Sequence, residues 1–392
     1  MDFALGPEAE AFRQQLRDFL RVHHPGQPPR DLAGRRAWLR SWAGVLADEG
    51  WAGPSWPKAW GGMELSLGKQ VAYHEEMTRA RLPSAPASAL NLVGPVLLRY
   101  GSPDQQRRYL PPMVRGEEDW CLGYSEPGAG SDLAALSTRA VVDGDHYVVN
   151  GQKVWTSESA HADAMLALVR TGTMASRQRG ITMLIVDVRT PGLEIRPLRD
   201  MAGETRFSEV FFTDVRVPLQ NVVGRENEGW TIARTALGIE RSTNYTARDM
   251  GYRRIVDELI RLTAERGKAT DPLIRQELAH LETAVRLLHL NSLRILSAVF
   301  GGDEPGPASS VSRLMHTQFE QRLHEFAVSM LGPNGMLAAG DPLAVQNGRW
   351  AWGFLRTRAS TIGAGTAEVQ RNTIAERILG LPAEPAVPEP VS

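Results

Sequence analysis

A chain of 392 residues, 42% hydrophobic and 23% charged with a formal charge of -1, is too long for one ordinary core and reads as two or three globular domains. No basic stretch neutralises a row of phosphates, and apolar runs such as Ile181 to Val188 are too short to span a bilayer, so neither nucleic acid nor membrane is an expected partner. One cysteine, Cys121, excludes a disulfide framework, and the acidic start Met1-Asp2-Phe3 lacks the leader of an export signal; a cytoplasmic protein is expected.

Residues 1–118 predict a helical domain. Phe12, Leu16, Phe19 and Leu20 share one helical face, and further helices are expected over Asp31 to Glu49, Ser66 to Arg79, Ala87 to Tyr100 and Asp104 to Val114. Gly50 to Pro57 is a Gly/Pro/Trp loop. Residues 119–220 predict a β domain, because the period changes to two. Arg139 to Val142, a turn at Asp143-Gly144, His146 to Val149, a turn at Asn150-Gly151 and Lys153 to Trp155 read as consecutive hairpins. Strands are expected at Ala164 to Val169, Ile181 to Val188 and Glu209 to Thr213. Residues 221–382 return to the helical period. Leu278, Leu281, Val285, Leu288, Ser292, Ile295 and Val299 trace one stripe, and Phe319, Leu323, Phe326 and Met330 another, as in a four-helix bundle. Pro-rich residues 383–392 are expected to be a frayed, disordered tail. The fold class is α+β: helices, a barrel-like β domain, then a bundle.

Several common chemistries are absent. Gly123-Tyr124-Ser125-Glu126-Pro127 fails as G-x-S-x-G, His74-Glu75-Glu76-Met77-Thr78 fails as H-E-x-x-H, and no G-x-G-x-x-G joins a strand to a helix. His23, His24, His289, His316 and His324 have no metal-ligand spacing. Two segments of the β domain remain. Tyr124-Ser125-Glu126-Pro127-Gly128-Ala129-Gly130-Ser131-Asp132 combines small residues with hydroxyls and reads either as an ordinary tight loop or as a backbone cradle for a ligand. In Asn150 to Ser157, Trp155 followed by Thr156 and Ser157 reads either as a core Trp or as a platform for a planar cofactor.

With these segments stand Gly203-Glu204-Thr205-Arg206-Phe207-Ser208-Glu209 leading to Val217-Pro218, Val223-Gly224-Arg225-Glu226-Asn227-Glu228-Gly229-Trp230, and Gly365-Thr366-Ala367-Glu368-Val369-Gln370-Arg371-Asn372. In this order, over nearly the whole chain, they resemble the acyl-CoA dehydrogenase family. The resemblance implies noncovalent FAD between the β domain and the bundle. Tyr124, Ser125, Gly130, Ser131, Trp155, Thr156 and Ser157 would contact it from one side, with Trp155 against the isoalloxazine, and Thr366 and Glu368 from the other. The implied reaction removes the α-proton and passes the β-hydrogen as hydride to the flavin, turning an acyl thioester into its trans-2-enoyl form. The thioester carrier is coenzyme A or an acyl-carrier protein, and an electron acceptor such as electron-transfer flavoprotein is implied.

Most members of that family place a Glu before the Gly-Thr of the C-terminal motif. Here Ala364 stands there, and alanine accepts no proton. A minority carry the Glu at the start of the bundle, before an Arg, where this chain has Glu240-Arg241. Glu240 is therefore the expected base and Arg241 its neighbour in the substrate pocket, although a surface ion pair is the ordinary role of such neighbours. Ala364 retains its N–H, which with a ribityl hydroxyl would hold the thioester oxygen. Ser131, Ala364 and Gly365 would border the thioester end, and Gly363-Ala364-Gly365 leaves room for a bulky, branched or cyclic acyl group.

Two departures bear on assembly. Leu262 to Pro272 lacks the family's Arg-x-x-Phe-Gly, and Leu331-Gly332-Pro333-Asn334-Gly335 has Pro for one Gly of Gly-Gly-x-Gly. A homotetramer and an α2β2 pairing of different chains are both open. So are a non-catalytic or FAD-completing subunit, and a flavin oxidase or monooxygenase on the same fold.

Overall fold

A computed structural model describes residues 5–29, 31–83, 89–239, 245–303 and 306–383, with the backbone alone described at 32 and 235–239. It forms two compact units, one reaching to Ala247 and the other starting at Arg248.

The first unit opens with helices α1 (Pro7–His23), α2 (Leu32–Asp48), α3 (Leu67–Arg79), α4 (Gly94–Tyr100) and α5 (Pro103–Val114). The predicted stripe of α1 is buried at Phe12, Leu16, Phe19 and Leu20. α1 and α3 are also joined by charge. Glu76 is 2% exposed and accepts from Arg13 Nη1 at 2.9 Å and Arg17 Nε at 2.8 Å. Burial alone would raise its carboxyl, but these guanidinium groups and Arg79 hold it at about 2. The helix expected from Ala87 differs in detail: a π-helical turn, Ala89–Val93, precedes α4. Pro95 has no N–H to give to the carbonyl four residues back, which opens the ladder there.

Among the described residues seven strands follow: β1 (Trp120–Gly123), β2 (Arg139–Asp143), β3 (His146–Ser157), β4 (Ala164–Arg170), β5 (Ile181–Asp187), β6 (Leu193–Leu198) and β7 (Phe207–Pro218). β4 pairs with β1 and β5, while β2, β3, β7 and β6 form a second run, and the two runs meet at the pair Arg139–Arg170. This is the curled sheet that the barrel-like expectation described. β6 is an addition to the predicted strands; it lies at the sheet edge, where Pro197 is tolerated.

One expected turn is absent. β3 runs straight through Asn150-Gly151, because Asn150 does another job. Its side chain donates to Asp214 Oδ1 and accepts from Asp214 N, both at 2.9 Å, which stabilises a bulge in β7. Gly151 is needed for close approach, since a Cβ there would lie 2.6 Å from Thr138 Cα.

After β7 comes α6 (Gly229–Ile239), packed on β5; a Cβ on Gly229 would lie 2.7 Å from Met183 N. The second unit holds α7 (Tyr245–Glu265), α8 (Pro272–Phe300), α9 (Ala308–Leu331), α10 (Arg349–Arg356) and α11 (Ala367–Arg377). Val256 and Leu259 of α7, Leu281, Val285 and Leu288 of α8, Phe319 and Leu323 of α9 and Trp350 of α10 share its core. The architecture is therefore N-terminal helices, a central curled sheet and a C-terminal helical domain.

Candidate active site

In the first unit, the loop after β1 and the far end of β3 are fastened together. Val154 N–H donates to Ser125 O at 2.9 Å, and Glu126 exchanges backbone bonds with Ala129 at 3.0 Å. Beneath them lies an ion pair that the sequence reading did not single out. Lys153, fully buried, donates through Nζ to Glu126 Oε1 at 2.8 Å and to Tyr124 O at 3.0 Å. Glu126 also accepts from Ser137 N, Ser137 Oγ and Thr138 N. Burial would raise the Glu126 carboxyl, yet Lys153 and these donors hold it at about 2. The available signal was parity: Tyr147, Val149 and Lys153 are odd-numbered residues of one strand, and all face inward.

Trp155 follows on a second bulge. Lys153 pairs with Val210 and Thr156 with Ser208, so Val154 and Trp155 together stand opposite Glu209. Trp155 takes a left-handed φ of 58°, and its indole is 62% exposed, set edge-on to Phe207 with ring centroids 6.0 Å apart. The core alternative for Trp155 thus falls away. Left-handed backbone at a residue with a side chain costs roughly 1–2 kcal/mol, so the bulge holds strain in order to aim an aromatic ring outward.

The hydroxyl Oγ1 of Thr156, Oγ of Ser208 and the Tyr124 hydroxyl are buried without a hydrogen-bond partner among the described residues. Ser131 and Ser157 are exposed, and a Cβ added at Gly128 or Gly130 would meet nothing within 4 Å. A flat exposed aromatic, adjoining hydroxyls and an uncrowded glycine loop suit the polar edges and planar ring system of a flavin. The residues present therefore fit FAD.

In the second unit, the predicted C-terminal motif lies on an exposed turn. Ala364 has φ 52° and Gly365 φ 92°, and the Gln370 side chain closes the turn by donating to Gly365 O at 3.3 Å. Thr366 caps α11, its hydroxyl accepting from Val369 N at 3.2 Å. Glu368 is exposed and pairs with Arg371; its own backbone N–H and the Thr366 hydroxyl hold its carboxyl below the usual range. No acceptor among the described residues takes the Ala364 N–H. Glu240 and Arg241 lie outside the described residues.

Sequence profiles of the N-terminal, middle and C-terminal domains of acyl-CoA dehydrogenase match residues 6–117, 121–215 and 227–379. The acyl-CoA dehydrogenase IpdE1 of Mycobacterium tuberculosis is 37% identical over 96% of this chain and 99% of its own. Among solved structures, the ChsE4-ChsE5 complex from Mycobacterium tuberculosis is similar with a TM-score of 0.84 and 33% identity, over 98% of this chain and 100% of that one. A structure described as the Tcur3481-Tcur3483 steroid ACAD is similar with a TM-score of 0.85 and 29% identity, over 98% of this chain and 100% of that one. No described helix is long and apolar enough to cross a membrane.

Proposed function

The chain belongs to the acyl-CoA dehydrogenase family of FAD-dependent oxidoreductases acting on CH–CH bonds, and we propose how its own residues carry out that reaction. Glu240 takes the α-proton of the acyl thioester, and Arg241 borders the substrate beside it. The Ala364 N–H holds the thioester oxygen as negative charge develops there, with Ser131 and Gly365 at the same end. Trp155 supports the isoalloxazine, while Tyr124, Ser125, Gly130, Thr156 and Ser157 line the cofactor on the sheet side, and Thr366 and Glu368 on the helical side. When bound, FAD supplies the acceptor for the β-hydrogen.

The turn at Ala364 carries this reading. It offers an N–H without an acceptor among the described residues and no carboxylate, and its nearest acid in sequence, Glu368, is exposed and paired with Arg371. The proton acceptor must therefore come from another segment.

The substrate we propose is a bulky polycyclic acyl-CoA. In support, Ala364 removes a side chain where most family members carry Glu, and a similar solved structure is described as a steroid ACAD. The assembly we propose pairs this chain with a different one, as in two similar complexes, with electron-transfer flavoprotein as acceptor. In support, the segment after α7 is committed locally: Lys268 donates to Met330 O at 2.6 Å, and no Arg-x-x-Phe-Gly is present to reach a neighbour.

Rates with steroid-ring and straight-chain acyl-CoAs, using an artificial electron acceptor, test the substrate. Preference for a short straight chain overturns it. A flavin-coloured, active homotetramer overturns the two-chain assembly, and peroxide release matching turnover identifies an oxidase instead.

A further inference from the structure

The turn bearing Ala364 is held from below by one face of α9. Gln321 donates to Thr357 O at 3.1 Å and to Thr361 Oγ1 at 3.0 Å, and Glu320 accepts from Ser360 Oγ at 2.6 Å and from the Tyr252 hydroxyl. Two turns earlier on α9, Arg313 Nη2 donates to Ser360 O at 3.1 Å and to Gly363 O at 2.7 Å. The second contact matters most. Gly363 O and the Ala364 N–H belong to the same peptide group, which is trans, so the N–H points away from the oxygen that Arg313 grips.

We propose that Arg313 is a positioning residue for the thioester: it orients and polarises the Gly363–Ala364 peptide so that its N–H is a strong donor to the developing enolate oxygen. This rests on the reading of the Ala364 N–H as the thioester contact. Two physical effects act together. A charged donor on the carbonyl draws electron density from the amide, which makes the N–H opposite a better donor. The same grip fixes the peptide plane at a left-handed alanine, a conformation that isolated backbone abandons. A donor set in place before the reaction needs no reorganisation when charge appears. In this role Arg313 acts through the peptide rather than on the substrate.

The test uses the FAD-loaded protein in its native assembly and phenoxyacetyl-CoA labelled with 13C at the thioester carbonyl. Oxygen occupies the β position of this probe, so no hydride can leave. Bound to the unaltered protein, its carbonyl stretch is expected below the solution frequency. In Arg313→Met the stretch returns most of the way toward solution, with FAD content unchanged, and turnover of a true substrate falls about tenfold or more, chiefly in kcat. That figure is set below the ~10²–10³ loss for deleting a whole oxyanion donor. Arg313→Lys, which keeps a charged donor, recovers part of the frequency shift. An unchanged stretch in Arg313→Met overturns the proposal. A stretch at the solution frequency in the unaltered protein overturns instead the assignment of the thioester to Ala364.

Discussion

Lys153 Nζ lies 2.8 Å from Glu126 Oε1, and neither side chain is more than 5% exposed. The pair ties the glycine loop to the strand that presents Trp155. Removing only the lysine leaves Glu126 charged and buried. Lys153→Met is therefore expected to destabilise the protein by about 3–5 kcal/mol, read as a lower urea midpoint. The double variant Glu126→Gln/Lys153→Met should recover much of the loss. A single variant as stable as the unaltered chain would show that the buried pair does no structural work.

Trp155 poses the opposite case, because its backbone is strained and its exposed indole adds little to the isolated fold beyond its edge contact with Phe207. Trp155→Gly is expected to unfold at equal or higher urea concentration, since glycine accepts φ 58° without penalty. FAD affinity should fall roughly tenfold, near the upper end of what an aromatic stack contributes. Equilibrium dialysis of FAD against both proteins measures it, and equal affinities would remove Trp155 from the cofactor site.

Glu240→Gln keeps the shape and loses the proton acceptor. Turnover is expected to drop by at least ~10²-fold while the flavin spectrum is retained. Washout of a deuterium label at the α-carbon, followed by mass spectrometry, should stop as well. Continued exchange at the normal rate points to another base.

Acid should weaken the first unit in a defined window. Glu76 and Glu126 are both held at about 2, below the 4.5 of an unperturbed Glu. A depressed carboxyl favours the folded state fully above the unfolded pKa and loses that contribution as pH falls toward the folded one. The urea midpoint should thus hold steady above about pH 5 and decline between about 4.5 and 2, with a shallower slope in Glu126→Gln. A midpoint that stays flat down to pH 3 contradicts both carboxyl assignments.

The order of the architecture could be read from residues because it rests on periodicity. Phe12 to Leu20 and Leu281 to Ile295 bury the faces their spacing marks. The resemblance identified the family for the same reason: the order of its motifs in the chain is a one-dimensional fact. What sequence did not yield depends on partners far along the chain. Asn150-Gly151 has the composition of a hairpin turn, and only Asp214, sixty-four residues later, diverts Asn150 to another use. Arg313 looked like any helical arginine until the carbonyl of Gly363 met it. The strand β1 was hidden because Trp120-Cys121-Leu122-Gly123 is too short to show alternation.

The bulges of β3 and β7 are complementary. Thr213 and Asp214 stand against Asn150 on one side, while Val154 and Trp155 stand against Glu209 on the other, so each strand carries one surplus residue and the ladder ends in the alignment with which it began. A lone deletion away from these bulges would turn every side chain beyond it to the wrong face, whereas loss of the surplus residue at a bulge keeps the pairing on both sides of it. Losing Trp155 and Asp214 together would leave a regular ribbon with its faces unchanged, stripped of the outward indole. Related chains should therefore gain or shed single residues in these two strands at the two bulges rather than between them, and a descendant that shed both would keep the scaffold without the aromatic platform proposed for the flavin.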